Sequence, residues 1–422
     1  MQLTVTDSLT PFVVIAAVYL IVYLAAKAIG IERLSKRGFE AGTPLLIVIK
    51  TKRLNDFLTR AGRRIPRALF NFGILCGFLG MIFGFWLFGT NLWNFLFKPE
   101  SAGGVVPIIP GVTITGLPLV YMIIGLAVTL LTHEFAHGLA ASRDNVPIKS
   151  SGLLFFYVLF GGFVEPDDEV FEKQASPKDR MRILAAGSFS NMVWAFIFLA
   201  LIMNFSGLMS IGFNPPSGAY IYQIADESPA SGVLEDQDVI FRLNWTQINY
   251  WSDVSVFMAN ATAGSHLDIG ILRNDVPMNI TIVLAPSPAN ASRGYIGVFG
   301  ADYWKPKPGW EWIPGGPLYA FHAQQILVWC FTILFSIAVF NLLPIPFLDG
   351  DKLLSNGLLL VFKRRTTTEQ APEIPTNYPE ASEQRPQLPR PVGAVMLPIR
   401  LIALSIVLLN IILSLVSGKG IF

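Results

Sequence analysis

Residues 130–140 read LLTHEFAHGLA, and the reading of this stretch decides the fold. His133 and His137 are four positions apart. On a helix that spacing puts both imidazoles on one face, where they can share one metal ion. Glu134 lies too near them in sequence to serve as a natural third ligand, and its fitting role is general base toward a metal-activated water. The pattern His-Glu-x-x-His usually marks a zinc hydrolase. Here it closes an apolar run, Leu117–Ala140, long enough to cross a bilayer at about 20 residues per span. The sequence therefore poses a hydrolytic motif, which needs water, inside a membrane segment.

Composition supports the membrane reading. Of 422 residues, 52% are hydrophobic and 14% charged, against about 25% charged in a typical soluble domain; mean hydropathy is +0.52. The net charge of +2 and the lack of a large basic block exclude an obvious nucleic-acid partner. Cys76 and Cys330 each lie in an apolar run and read as small apolar residues, with no disulfide framework or thiolate metal site. Six runs qualify as spans: Phe12–Ile29, Ala68–Phe88, Leu117–Ala140, Ile183–Phe205, Ile326–Phe347 and Pro398–Val416. The first lacks a basic leader and a small-residue cleavage site, so it is expected to be retained.

Lysine and arginine set the orientation. Residues 31–67 carry ten of them, among them Lys50, Lys52, Arg53, Arg63, Arg64 and Arg67, and are expected to form a basic loop on the cytoplasmic side. Counting spans from there puts segments 141–182 and 351–390 inside, and 98–116 and 206–320 outside. Five Asn-x-Ser/Thr sequons, starting at Asn204, Asn244, Asn260, Asn279 and Asn290, fall in or at the edge of that last outer segment, as acceptors on the outer face should. Between Gly218 and Gly300, short runs such as AYIYQI, DVIFRL and NITIVL separated by turn residues predict a small β-rich domain. Its stretch ESPASGVLEDQDVIFRLN resembles the PDZ pattern, with Gln237-Asp238 where Gly-Asp is usual. GAYIYQI is then expected to supply the peptide-binding loop and edge strand; the alternative is a β-rich domain with no peptide function. Residues 363–392, rich in Pro, Glu, Gln and Thr, predict a disordered cytoplasmic linker.

Two histidines do not complete a catalytic zinc site, which takes three protein ligands and leaves a fourth position for water. Intramembrane carboxylates are rare and usually functional. FNLLPIPFLDGDK supplies one: the fifth span is apolar to Asn341, is broken by Pro344 and Pro346, and reaches Asp349 near its cytoplasmic end. The third span also runs from outside to inside, so charge bias alone sets His133, His137 and Asp349 at similar depth.

His133-Glu134-Phe135-Ala136-His137 together with Asn341-Leu342-Leu343-Pro344-Ile345-Pro346-Phe347-Leu348-Asp349-Gly350 resembles the paired signatures of the site-2 protease family of intramembrane zinc metalloproteases, in which an inserted PDZ-like domain is common. The resemblance covers the third to fifth spans. It implies that His133, His137 and Asp349 bind Zn2+ and that Glu134 is the catalytic base. Asp351 stands where many relatives have glycine, and leaves open which carboxylate meets the metal. The resemblance also implies a membrane hairpin in LLFFYVLFGGFVEPDDE (153–169), turning near Gly161-Gly162, whose open edge would hold an unwound substrate by strand addition; a plain interfacial loop is the alternative. In AAGSFSNMVWAF, Gly187, Ser188 and Asn191 form a small polar face. It would serve helix packing with an interhelical hydrogen bond, or Asn191 with Asn341 would orient substrate or steady a developing oxyanion.

The expected architecture is a polytopic α-helical membrane protein of about six transmembrane helices with a short re-entrant hairpin and an extracytoplasmic β-rich PDZ-like domain. Its segments are 1–116 (spans one and two), 117–207 (spans three and four with the hairpin), 208–310 (PDZ-like), 311–362 (span five), 363–392 (linker) and 393–422 (span six). Expected partners are the lipid bilayer and transmembrane protein substrates, in the cell membrane. Two rival classes remain at this stage. A metal transporter would spread its ligands along a path and leave Glu134 without a task, and a non-catalytic membrane-segment binder would normally have lost one of the four residues.

Overall fold

The computed structural model describes residues 5–105, 107–108, 113–156, 159–288, 290–313, 315–366 and 390–419. The chain divides into two compact units, Met1–Phe198 with Trp329–Phe422, and Leu199–Val328.

The first unit opens with α1 (Val5–Ile29) and α2 (Ile31–Ser35). The basic segment expected as a loop is instead structured: β1 (Phe39–Thr43), β2 (Leu46–Lys50) and α3 (Lys52–Arg64). Leu46-Ile47-Val48-Ile49 is a short β-branched apolar run, and such runs pair into sheets. Then come α4 (Arg67–Phe97), α5 (Gly116–Arg143), β3 (Ile148–Phe156), β4 (Leu159–Pro166) and α6 (Pro177–Met203). The four strands form one antiparallel sheet in the order β1-β2-β3-β4, so the hairpin of β3 and β4 is half of a larger sheet.

Gly161 and Gly162 do not form the turn of that hairpin. They pair with Leu154 and Leu153 inside the ladder, and the strands connect through residues 157–158, which lie outside the described residues. The glycines are needed because β4 crosses α5. A Cβ on Gly161 would stand 2.8 Å from Leu130 Cβ, and one on Gly162 would stand 3.0 Å from Leu131 Cδ2. On the next turns of α5, Gly138 faces Val164 and Leu58 in the same close manner. The sheet and α3 thus pack along the stretch of α5 that carries the histidines.

The second unit contains α7 (Phe205–Met209), β5 (Ala219–Ile224), β6 (Val239–Leu243), β7 (Thr246–Gln247), α8 (Trp251–Ala259), β8 (His266–Arg273), β9 (Val276–Val283), β10 (Ala285–Ser287), β11 (Asn290–Tyr295) and β12 (Val298–Asp302). Its main sheet has the order β12-β5-β6-β8-β9, with β7 beside β6. Alternate residues of the strands, including Ile221, Ile240, Leu267, Ile269 and Ile271, bury against Val254 of α8. The expectation that GAYIYQI forms an edge strand fails: β5 is flanked on both sides, and β12 and β9 are the edges.

The chain then forms α9 (Leu318–Asn341), α10 (Asp349–Thr366) and α11 (Arg390–Val416). The fifth span was expected to reach Phe347, but α9 stops at Asn341. Pro344 and Pro346 lack the N–H a helix needs, and the residue before a proline avoids the helical region. Asp349 therefore opens a new helix instead of ending an old one, with its carboxylate in the first turn, where the helix dipole favours negative charge. Of the linker expected over 363–392, residues 367–389 lie outside the described residues and α10 continues to Thr366.

Among the described residues, five helices are long and apolar enough to cross a membrane: α4, α5, α6, α9 and α11. The first expected span lies in α1, whose side chains are described only from Ala16 onward.

Candidate metal centre

One turn of α5 separates His133 from His137, and their Nε2 atoms lie 3.0 Å apart. The Oδ2 atom of Asp349, delivered by the first turn of α10, stands 3.3 Å from Nε2 of His133 and 3.2 Å from Nε2 of His137. Ligands of a tetrahedral zinc ion with bonds of about 2.0–2.1 Å stand roughly 3.3 Å from one another. Two imidazole nitrogens and one carboxylate oxygen form a catalytic-type donor set, with the fourth position left for water or substrate. These residues fit zinc in number, chemistry and spacing.

The backbone of α6 keeps the space clear. A Cβ on Gly187 would lie 2.5 Å from His137 Nε2 and 2.6 Å from His133 Nε2, so only glycine leaves the converging nitrogens open.

Each donor is gripped from behind. Nδ1 of His137 is 2.7 Å from the carbonyl oxygen of Ile183. A carbonyl only accepts, so Nδ1 carries a proton, and in the neutral ring that a metal needs Nε2 is then bare. Asn341 Nδ2 donates to Asp349 Oδ2 at 2.8 Å, and the Asp349 backbone N–H reaches Asn341 Oδ1 at 3.4 Å. Together they close the proline-broken segment into a loop that aims the carboxylate. Gly350 completes the turn, since a side chain there would collide with the Leu342 carbonyl. His133 Nδ1 lies 3.2 Å from the side-chain amide of Asn191, which is wholly buried and also meets the Thr132 hydroxyl at 3.0 Å. Glu134, half-buried, follows His133 on α5.

Asp349 and Asp351 face different partners. Asp351 is buried and takes a two-pronged bond from Arg400 of α11, Nε to Oδ1 at 2.6 Å and Nη2 to Oδ2 at 2.8 Å. Among the described residues, the cluster able to hold a metal is His133, His137 and Asp349. Asn191 and Asn341 are brought against the donors, while Gly161 and Gly162 lie on the face of α5 at Leu130 and Leu131.

Sequence reasoning missed three supports. Thr132 was hidden in an apolar run. Arg400 carried a usable signal, a lone charge within an otherwise apolar span, which by default needs a partner. The third support is Arg182, buried at the start of α6. It makes a two-pronged bond to the side chain of Asp144 at 2.6 and 2.9 Å and reaches Asn71 at 3.2 Å, with Asp179 also bonded. This network ties α4, α5 and α6 together one residue before the Ile183 carbonyl that holds His137.

The family profile described as Peptidase family M50 matches residues 121–375, a segment that contains all three donors and Glu134. The chain belongs to peptidase family M50, the site-2 protease family. This family is zinc-dependent, in agreement with the donor set. Among curated relatives, an uncharacterized protein of Methanocaldococcus jannaschii is 30% identical over 249 residues, covering 59% of this chain and 57% of that protein's length. A protein of Fusobacterium nucleatum, provisionally named a zinc metalloprotease, is 25% identical over 279 residues, covering 54% of this chain and 79% of its own. One from Clostridium perfringens, named likewise, is 25% identical over 300 residues, covering 60% and 84%. Among solved structures, the PDZ domain of an SdrC-like protein from Listeria innocua aligns with 20% of this chain and 92% of its own at 17% identity and a TM-score of 0.19.

Proposed function

We propose that this M50 member is an intramembrane zinc metalloprotease that hydrolyses peptide bonds within or near transmembrane segments of other membrane proteins. The observation that carries the reading is the convergence of His133, His137 and Asp349 beside Glu134 on an apolar helix. Clustered donors with an adjacent carboxylate suit hydrolysis better than ion transport along a path.

Zinc, when bound, supplies Lewis acidity, making a water nucleophilic near neutral pH and polarising the scissile carbonyl. The chain's own residues do the rest. Glu134 takes a proton from the attacking water and returns it to the leaving amide nitrogen. Asn341, fixed on Asp349 and with Nδ2 3.4 Å from His133 Nε2, keeps an N–H beside the donors that can meet the developing oxyanion. A helical peptide bond is shielded by its own hydrogen bonds, so the substrate must unwind. The outer edge of β4 has no strand partner among the described residues and lies across the histidine-bearing part of α5, which supports its role as the rail for an extended substrate. Gly161 and Gly162 serve that role by letting β4 sit close to the site.

The lysine and arginine bias supports water entry from the cytoplasmic side and an extracytoplasmic second unit. That unit would screen substrates as a PDZ-like module. The peptide would add to edge strand β12, next to Gly297, which has a φ of +85°. Orientation is tested by placing a cysteine at Trp245, 94% exposed, and labelling intact cells with a membrane-impermeant maleimide; protection from the outside contradicts it.

The activity is tested in proteoliposomes with a library of single-span reporter segments. Wild type is expected to cut a subset, and Glu134→Gln to cut none while still binding zinc. Cleavage that persists in Glu134→Gln, or zinc uptake into the vesicle lumen without cleavage, contradicts the reading.

A further inference from the structure

We infer that Asn191 is a positioning residue that sets the tautomer of His133, and that it does so by presenting its amide oxygen, not its nitrogen, to the ring. This rests on the proposed zinc site. The argument is a count of protons. Asn191 is wholly buried and stands between two groups, His133 Nδ1 at 3.2 Å and Thr132 Oγ1 at 3.0 Å. With the amide nitrogen toward the ring, Nδ1 is an acceptor and the proton of neutral imidazole sits on Nε2. Nε2 is the atom that faces His137 and Asp349, and with a proton it cannot ligate.

A half-turn of the amide reverses this. The oxygen and nitrogen ends fill nearly the same volume and exchange places without moving their neighbours. The oxygen then accepts Nδ1–H, leaving Nε2 bare, as the Ile183 carbonyl does for His137. The amide nitrogen now points at Thr132 and needs an acceptor there. Thr132 can be one because its own proton has another destination: Oγ1 lies 2.9 Å from the Val128 carbonyl oxygen and 3.2 Å from that of Thr129. The chain Val128 carbonyl, Thr132 hydroxyl, Asn191 amide and His133 ring is therefore fully satisfied in the metal-competent state, with no buried polar atom left over. Asn191 acts through His133 and not on substrate, so its loss weakens metal binding before it affects any bond-making step.

The test is the zinc dissociation constant of the full-length protein in detergent, by chelator competition, with melting curves to confirm folding. Partners behind metal-bound histidines typically change metal affinity 10–100-fold. Asn191→Leu, which keeps the branched heavy-atom shape but has no acceptor, is expected to weaken zinc by about that factor. Asn191→Asp, whose carboxylate accepts Nδ1–H, is expected to bind zinc at least as tightly as wild type. Thr132→Val, which orphans the amide nitrogen, is expected to weaken zinc by a smaller factor and serves if a position-191 variant does not fold. A packing role predicts the reverse order, with Leu tolerated and a buried Asp harmful. Wild-type affinity in folded Asn191→Leu, or weaker binding in Asp than in Leu, overturns the proposal. Absence of zinc from wild type itself overturns the metal reading on which it rests.

Discussion

A methyl group at position 187 would occupy the space onto which two imidazoles converge, 2.5 Å from His137 Nε2 and 2.6 Å from His133 Nε2. Alanine is the better helix former by up to about 1 kcal/mol, so Gly187→Ala should fold well yet lose zinc at least tenfold. Elemental analysis alongside a melting curve checks this, and undiminished zinc contradicts it. In the second unit, Asp302 Oδ1 accepts the Trp251 N–H at 2.7 Å. Burial lifts its carboxyl above the usual range against that hydrogen bond, and Asp253 adds to the lift. The folded state thus holds this proton more tightly than the unfolded state. The stability it confers is full below the unfolded carboxylate pKa of about 3.9 and is lost as pH rises through the folded value. Asp302→Asn keeps the acceptor and never charges. It is expected to raise the melting temperature of this unit at neutral pH, with a gain that shrinks as pH falls toward 4; a lower melting temperature at neutral pH contradicts the assignment.

At the scale of elements, the pair of the buried Asp351 and the half-buried Arg400 joins α10 to α11. Removing one partner of a buried ion pair typically costs about 3–5 kcal/mol, because the other charge stays uncompensated. Arg400→Leu is expected to destabilise by about that amount in denaturant unfolding, and the double variant with Asp351→Leu to recover most of it. Equal loss in both would mean that shape, not charge, joins these helices. Element by element, the sequence was legible where one local signal ruled. The apolar run with two histidines at helical spacing gave α5, and the prolines marked a break after Asn341, though not that Asp349 opens a helix of its own. It was illegible where tertiary contact ruled. Gly161 and Gly162 carry the usual mark of a turn, but their missing side chains serve the crossing of β4 over α5. β1 and β2 lay in a stretch whose ten basic residues read as loop; β2 pairs with β3 across more than a hundred residues of chain, and β1 pairs with β2. Asn191 was noticed for its polarity, but which of its roles applies depends on a ring and a hydroxyl that only the packing of α5 on α6 brings to it.

For the whole molecule, the division of labour is by unit. Every group at the metal centre, from His133 to Asp349, belongs to the first unit. The β-rich insertion begins and ends at one place, since the Tyr303 N–H donates to the Gly218 carbonyl oxygen at 2.9 Å, and inserted domains with adjacent ends tolerate removal. Joining Gly218 to Tyr303 without residues 219–302 should leave zinc content unchanged, while changing which substrates are cut if the insertion screens them. Loss of zinc on this deletion would mean that the metal centre depends on the insertion for its shape.

The most direct test of the central claim is zinc per chain in detergent-purified protein, comparing wild type with Asp349→Asn and Asp351→Asn. The three-donor site predicts about one zinc in wild type, retained in Asp351→Asn and lost or much weakened in Asp349→Asn. Full retention in Asp349→Asn, or a wild type that holds no zinc, would contradict it.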